Sequence, residues 1–267
     1  KELEMRGFFL VGSPLLGLGH NGNVGWAATT GGPDTADVYE LELNADNPLQ
    51  YKYDDEFRTA KLQFITIPVK DTQTERRPAG YTHPGPLFSE PDYEKGVAYV
   101  GSSLYFGETK LTEQFYAMCA AKNTKELQAA LAMNQYMEQN IMYAGRDGNI
   151  GYVRTGMVPI RPDGYDWTKA VPGNTSKTAW KGMHPMSDLV QIVNPEQGYM
   201  QNCNISPAYM MKNSPMQPGT VPDYVYNVSG DNNNTRGARA GQMLDADDSI
   251  TKEEAMAIAF DVDDYNT

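Results

Sequence analysis

The chain has few histidines and cysteines with which to hold a zinc ion or a redox centre. Its 267 residues include three histidines (His20, His83, His184) and two cysteines (Cys119, Cys203). Two distant cysteines outside any CxxC exclude a disulfide-dense scaffold and a cysteine zinc site; one disulfide or two buried thiols are both open. There is no HExxH, no P-loop, no GxGxxG and no GxSxG, so a zinc peptidase, a nucleotide binder and an α/β-hydrolase lack support. No apolar run approaches the ~20 residues that span a bilayer, so no membrane insertion is expected. Positive charge is also scarce: 22 Lys and Arg against 34 Asp and Glu leave a net charge of −12. Such a surface disfavours nucleic acid and anionic membranes. It is compatible with bound calcium, although a solvated acidic surface is the plainer explanation. No signal peptide is visible and the first residue is Lys1, so the chain reads as a piece of a longer polypeptide.

What is present favours sheet structure. There are 25 glycines and 17 tyrosines, and 40% of the residues are hydrophobic, enough for a sizeable core. Gly-broken strands are expected over residues 7–43, ending in "ADVYELEL", where Glu40 and Glu42 alternate with Leu41 and Leu43. Further strands are expected at 61–70 and 96–103, with an exposed loop over "DTQTERRPAG" and a Pro-interrupted edge at "YTHPGPLF". "KNTKELQAALAMNQYME" predicts a helix capped by Asn123, with Glu126 at the capping-box position and Leu127, Ala130, Leu131 and Met137 on its apolar face. "QNIMYAGRDGNIGYVRTG" predicts a hairpin turning at Asp147-Gly148. Residues 159–241 lack periodicity and are rich in Pro, Asn, Gly and Met, which points to long functional loops. "DSITKEEAMAIAFDV" predicts a second helix capped by Ser249 or Thr251.

Three clusters are able to carry chemistry. In "GWAATTGGPDTADVY", Gly31 and Gly32 leave backbone amides uncovered beside Thr30 and allow close approach of a ligand. Asp34, Asp37 and the Ala36 carbonyl offer hard oxygens in one loop, as calcium prefers; an ordinary acidic turn explains them equally well. In "GYMQNCNISP", Asn202 and Asn204 are two apart, which puts both on one face of an extended segment. A side-chain amide there is able to stabilise an oxyanion, or simply to brace a loop. In "DNNNTRGARAG", Arg236 and Arg239 follow a polar loop and are expected to precede a helix. They suit a carboxylate or a developing negative charge, and equally a solvated surface. No catalytic role is expected for Arg146, Arg154 or Arg161.

In this order, the clusters resemble the penicillin acylase family of N-terminal-nucleophile hydrolases. "GSPLLGLGHNGNVGWAATTGGPDTADVYELEL" is similar to the family's GHN, Trp and acidic-loop segment. "YTHPGPLF" resembles its Thr-His-Gly-Pro strand, with Pro84 as an extra residue. "NIMYAGRDGNIGYVRTGMVPIR" resembles its Gly-Asn-Ile-Gly-Tyr hairpin, with Gly145 where the family usually has Asp. "VNPEQGYMQNCNISP" and "NTRGARAGQML" continue the series, so the resemblance covers nearly the whole chain as one partial β-chain segment, 1–267.

The resemblance implies an α+β fold, part of a four-layer αββα sandwich of antiparallel sheets with long irregular loops. It implies hydrolysis of linear amides through an acyl-enzyme. The attacking residue is a Ser, Thr or Cys at a chain start, and its own α-amino group is the base. By this correspondence the Thr30 amide and the Asn204 side chain form the oxyanion hole, and Arg236 lies near the nucleophile's amine. Gly31 and Asn202 support the substrate site. Asp34, Ala36, Asp37 and Trp167 correspond to ligands of a structural calcium, but a later Asp ligand is unmatched where Pro215 falls. No organic cofactor is implied. No residue corresponds to the nucleophile: neither Lys1, Ser13 nor Ser206 fits. The expected partners are therefore a small N-acyl substrate, the α chain and the remainder of the β chain from the same precursor. A periplasmic or secreted location is implied, and on its own the segment is expected to hydrolyse nothing. The competing readings are a non-catalytic binding or scaffold protein retaining the fold, and a calcium-dependent extracellular module.

Overall fold

The computed structural model describes residues 4–107 and 109–263; Lys1 lies outside them. In chain order the strands are β1 (Arg6–Phe9), β2 (Leu16–His20), β3 (Val24–Thr30), β4 (Ala36–Asn44), β5 (Asn47–Tyr53), β6 (Glu56–Thr59), β7 (Lys61–Ile67), β8 (Glu75–Tyr81) and β9 (Val97–Ser103). Helices α1 (Leu111–Ala120) and α2 (Thr124–Leu131) follow, then β10 (Gln139–Gly145), β11 (Ile150–Thr155), β12 (Val171–Pro172) and β13 (Gln191–Val193). Helices α3 (Asp223–Tyr226), α4 (Thr235–Asp245) and α5 (Lys252–Ala259) close the chain. The backbone divides into two compact units: residues 1–34, 109–157 and 184–267, and residues 35–108 and 158–183.

The first unit is built on a six-stranded sheet in the order β1-β2-β3-β10-β11-β13. Every pairing in it is antiparallel. Between β10 and the edge strand β13, β11 is buried from Gly151 to Thr155, as a strand covered on both faces must be. Helix α2 is fixed at its start by Asn123, whose side chain accepts from the Glu126 amide. Leu127, Ala130 and Leu131 are buried as the periodicity requires. Met137 lies beyond the helix and is exposed, because the helix ends at Leu131. The long loops are not loosely attached: Met210, Met211 and Met216 pack with Tyr152, Val190 and Tyr226 into a buried cluster. Both cysteines are free thiols, with Cys119 buried.

The second unit centres on β4. It pairs with β9 and β5 in antiparallel fashion and with the short β12 in parallel. Asp37, Tyr39 and Leu41 are buried on alternate positions while Glu40 and Glu42 face water. Tyr39, Leu41, Tyr51, Ala98, Val100 and Val171 form the core, with Trp167 and Trp180 packed against it. The expected loop over residues 71–80 is in part strand: β8 pairs with β7 from Glu75 to Tyr81. Pro78 lies within it, tolerated because the two-stranded ribbon leaves β8 an outer edge.

The hairpin turn differs in detail from a two-residue type. Gly148 alone takes a left-handed φ, +82°, and the Gly145 amide donates to the Asn149 carbonyl, which is the longer loop with glycine in the left-handed position. Asp147 instead caps α2, accepting from the Thr124 amide and hydroxyl at 2.9 and 2.8 Å. Those bonds hold its carboxyl below the usual carboxylate range.

Candidate active site

Thr30 ends β3, and the chain leaves the sheet through Gly31 and Gly32. Neither glycine has room for a side chain. Gly31 has φ +136°, and a Cβ there would sit 2.7 Å from Asn140 Nδ2. A Cβ on Gly32 would come within 2.4 Å of the Glu138 backbone. The loop is thereby pressed against β10 with Thr30 left exposed at its lip.

Asn204 approaches the same lip from a distant part of the sequence. Its side-chain Nδ2 donates to the Thr30 carbonyl at 2.9 Å. Its backbone is left-handed, φ +62°, so residues 202–204 are not extended and the two asparagines do not share a strand face. They meet because the strained backbone turns the Asn204 amide onto Asn202 Oδ1, at 2.9 Å. The same oxygen accepts from the Thr29 hydroxyl at 2.6 Å. Asn202 thus braces both sides of the lip while itself buried.

Arg236 lies inside α4, not before it. Its Nη2 donates to the Cys203 carbonyl at 2.9 Å and to Asn204 Oδ1 at 3.1 Å. Holding Oδ1 turns the Nδ2 end toward Thr30. Asn234 caps the helix through the Gly237 amide and also ties down the Cys203 carbonyl. Arg239 is employed elsewhere: it forms a two-pronged pair with Asp261, at 2.9 Å on each oxygen.

Thr30, Asn204 and Arg236 therefore form an exposed tier. Behind it stands a buried tier that the sequence did not reveal. Thr29, Asn140 and Arg154 lie directly opposite one another across β3, β10 and β11. Asn140 Nδ2 donates to Thr29 Oγ1, and its Oδ1 accepts from Tyr152 and Arg154 at 2.7 and 2.8 Å. Burial pushes the Tyr152 phenol up to about 12, so it stays a donor. Arg154 Nη2 reaches the carbonyls of Gly32 and Asn227 at 3.0 and 3.1 Å. The one sequence sign of this tier was a charged residue in an otherwise apolar strand.

The chemistry this permits is specific. A side-chain amide carries two N–H groups. One of Asn204's is bound to the Thr30 carbonyl; the other belongs to an exposed side chain and is of the kind able to meet a developing oxyanion. Donors fixed in advance are effective because they need no reorganisation as charge develops. Ser13 and Ser206 are not rival nucleophiles. Ser206 is fully buried against Tyr226, and Ser13 donates to the Leu15 carbonyl.

The acidic loop has other partners. Within the second unit Asp37 Oδ2 accepts from Arg161 Nε and Trp180 Nε1 at 2.9 and 2.8 Å, and the Ala36 carbonyl accepts from Arg161 Nη2. Trp167 lies beneath the guanidinium and donates from its ring nitrogen to the Pro162 carbonyl. Asp34 belongs to the first unit, where its amide donates to the Tyr224 carbonyl. Among the described residues no cluster of three or more His, Cys, Asp or Glu is arranged to hold a metal. Arg161 thus donates to Asp37 Oδ2 and to the Ala36 carbonyl, two of the oxygens the sequence offers to a calcium ion.

A family model for penicillin amidase matches residues 1–267, and the chain belongs to that family. It is 34% identical over 195 residues to the penicillin G acylase of Escherichia coli, covering 73% of this chain and 23% of that protein. It is 25% identical over 245 residues to an acyl-homoserine lactone acylase of Pseudomonas fluorescens, covering 82% of this chain and 31% of the relative. The fold is that of the thermostable penicillin G acylase of Alcaligenes faecalis, with a TM-score of 0.77 at 23% identity over 96% of this chain and 46% of the other. The chain spans between about a quarter and a third of the length of these two curated relatives.

Proposed function

We propose that this chain is the oxyanion-hole segment of an amidohydrolase that cleaves linear N-acyl amides through an acyl-enzyme. The observation that carries this reading is the convergence of Asn204 Nδ2 on Thr30. The nucleophile is a Ser, Thr or Cys on another segment of the same precursor, exposed by self-cleavage. Its free α-amino group, with an ordinary pKa of ~7.7–8.0, acts as base near neutral pH. The Thr30 amide and the second N–H of Asn204 take the oxyanion, and Arg236 holds Asn204 in register. Candidate substrates are N-acylated small molecules such as β-lactams, acyl-homoserine lactones and lipopeptides; the relatives' names support the first two. The working location is the periplasm or the exterior of the cell.

The test uses the full precursor. Its mature chains are sequenced from their N-termini and a panel of N-acyl amides is assayed with wild type and Asn204→Ala. The reading requires a processed Ser, Thr or Cys terminus, turnover of at least one amide, and a kcat loss of roughly 10²-fold or more in the variant. Residues 1–267 alone should be inactive. A native protein with no such terminus, or full turnover by Asn204→Ala, favours a non-catalytic binding protein on the same fold.

A structural calcium on the acidic loop, with Ala36, Asp37 and Trp167 as donors in the second unit, is a separate part of the reading. The Arg161 contacts weigh against it. Melting with added calcium and with a chelator tests it: a shift of several degrees supports calcium, and coincident curves remove it.

A further inference from the structure

Arg154 is a cation nine-tenths and more buried: only 3% of its surface is exposed. Among the described residues no carboxylate lies within ion-pair distance of it. Its acceptors are all neutral: Asn140 Oδ1 and the carbonyls of Gly32 and Asn227. Burying a charge without a counter-charge is costly, and breaking up such neutral solvation costs more. A scaffold needing only strand pairing at this position would be served by an apolar residue like those around it. The contacts instead converge on one place. Arg154 holds the carbonyl of Gly32, two residues past Thr30. It also orients Asn140, whose amide faces Thr29 and lies 2.7 Å from the position a Gly31 Cβ would take.

We propose that Arg154 is a positioning residue of the oxyanion loop. Through Gly32 and Asn140 it fixes the 29–32 turn from behind, so that the Thr30 amide points outward beside Asn204. This role rests on the amidase reading and deepens it, because Arg154 touches neither substrate nor nucleophile.

The experiment compares wild type, Arg154→Met, Arg154→Lys, Asn204→Ala and the Arg154→Met/Asn204→Ala double variant in the mature enzyme made from the full precursor. Rates are expressed per folded, correctly processed molecule, counted by intact mass and gel filtration, on an N-acyl p-nitroanilide that the wild type hydrolyses. Arg154→Met is expected to lower kcat by roughly ten- to a hundredfold, less than loss of an oxyanion donor itself, with KM within about threefold. In the Asn204→Ala background the Thr30 amide is still present, so Arg154→Met should lower kcat there as well. Arg154→Lys keeps the charge but cannot span three acceptors, and should fall between. Should Arg154→Met fail to fold, Arg154→Lys and its double variant with Asn204→Ala carry the same comparison. Unchanged kcat per folded molecule in Arg154→Met, alone or in the Asn204→Ala background, would overturn the proposal and leave the amidase reading standing. A wild type that hydrolyses no amide overturns the reading first, and the proposal with it.

Discussion

The Asn204 side chain donates to the Thr30 carbonyl at 2.9 Å although 174 positions separate them in sequence. Arg236 on the far oxygen and Asn202 on the backbone amide leave Asn204 little freedom. The side chain is therefore fixed in advance, the property the proposed oxyanion role requires.

Asn204→Asp tests how far this depends on the amide donor. The carboxylate keeps the shape, tolerates a left-handed backbone and gains a charge opposite Arg236. It loses the N–H donors. The melting temperature should change by no more than a few degrees while kcat falls by roughly 10²-fold or more. Activity surviving in a folded Asn204→Asp protein would remove the oxyanion role.

Gly32→Ala should damage the same loop by steric means. A Cβ at 2.4 Å from the Glu138 backbone forces β10 and the loop apart, since no flexible side-chain end is there to move. Overpacking of this kind costs about 1–3 kcal/mol. Denaturant unfolding should show that loss, with kcat reduced as well. Wild-type stability in Gly32→Ala would mean the loop is not pressed against β10.

In the second unit, Asp37 and Arg161 form an ion pair whose side chains are both 1% exposed. Removing one partner strands the other away from water. Asp37→Asn should destabilise the protein by about 3–5 kcal/mol. Chemical unfolding of wild type and variant measures this directly, and a loss below about 1 kcal/mol would contradict the buried pairing.

His83 supplies a pH signature. The residue keeps an exposed edge, but its ring stacks on Tyr51 at 5.7 Å and meets Tyr53 edge-on at 4.3 Å. Burial, then the nearby Arg58 charge, push its pKa down to about 4. The folded protein thus binds a proton less readily than the unfolded chain, whose histidine titrates near 6.5. Stability from the neutral ring is complete above that value and is lost as pH falls from about 6.5 toward 4. In NMR the His83 ring signals should stay flat from pH 7.5 to 5.5; a midpoint near 6.5 would refute the packing.

The sequence was most legible where local chemistry decides the outcome. Asn123 and Glu126 marked the start of α2, and Thr251 with Glu254 forms the capping box of α5. The alternation of Leu41 with Glu40 and Glu42 marked a half-buried strand. Less legible was whatever depends on register. Helix α1 was missed because Lys110 provides no side-chain cap. Thr30, Asn202, Asn204 and Arg236 were reached by family likeness, and the structure brings them together. Asn140 and Arg154 were passed over, since only strand pairing sets them opposite Thr29. Asp37 was read only as a candidate metal ligand, because an acidic loop does not disclose that an arginine 124 residues away will pair with it.

The hairpin of β10 and β11 has one further meaning. Asp147 at its tip fastens α2, while Asn140 and Arg154 near its base back the oxyanion loop, and six paired rungs join the two ends. Because side chains alternate along a strand, adding or deleting a single residue anywhere in it turns every later side chain to the opposite face. The hairpin is in effect a gauge of fixed length. A one-codon insertion in either strand, however far from Thr30, would turn Asn140 or Arg154 away from the 29–32 loop.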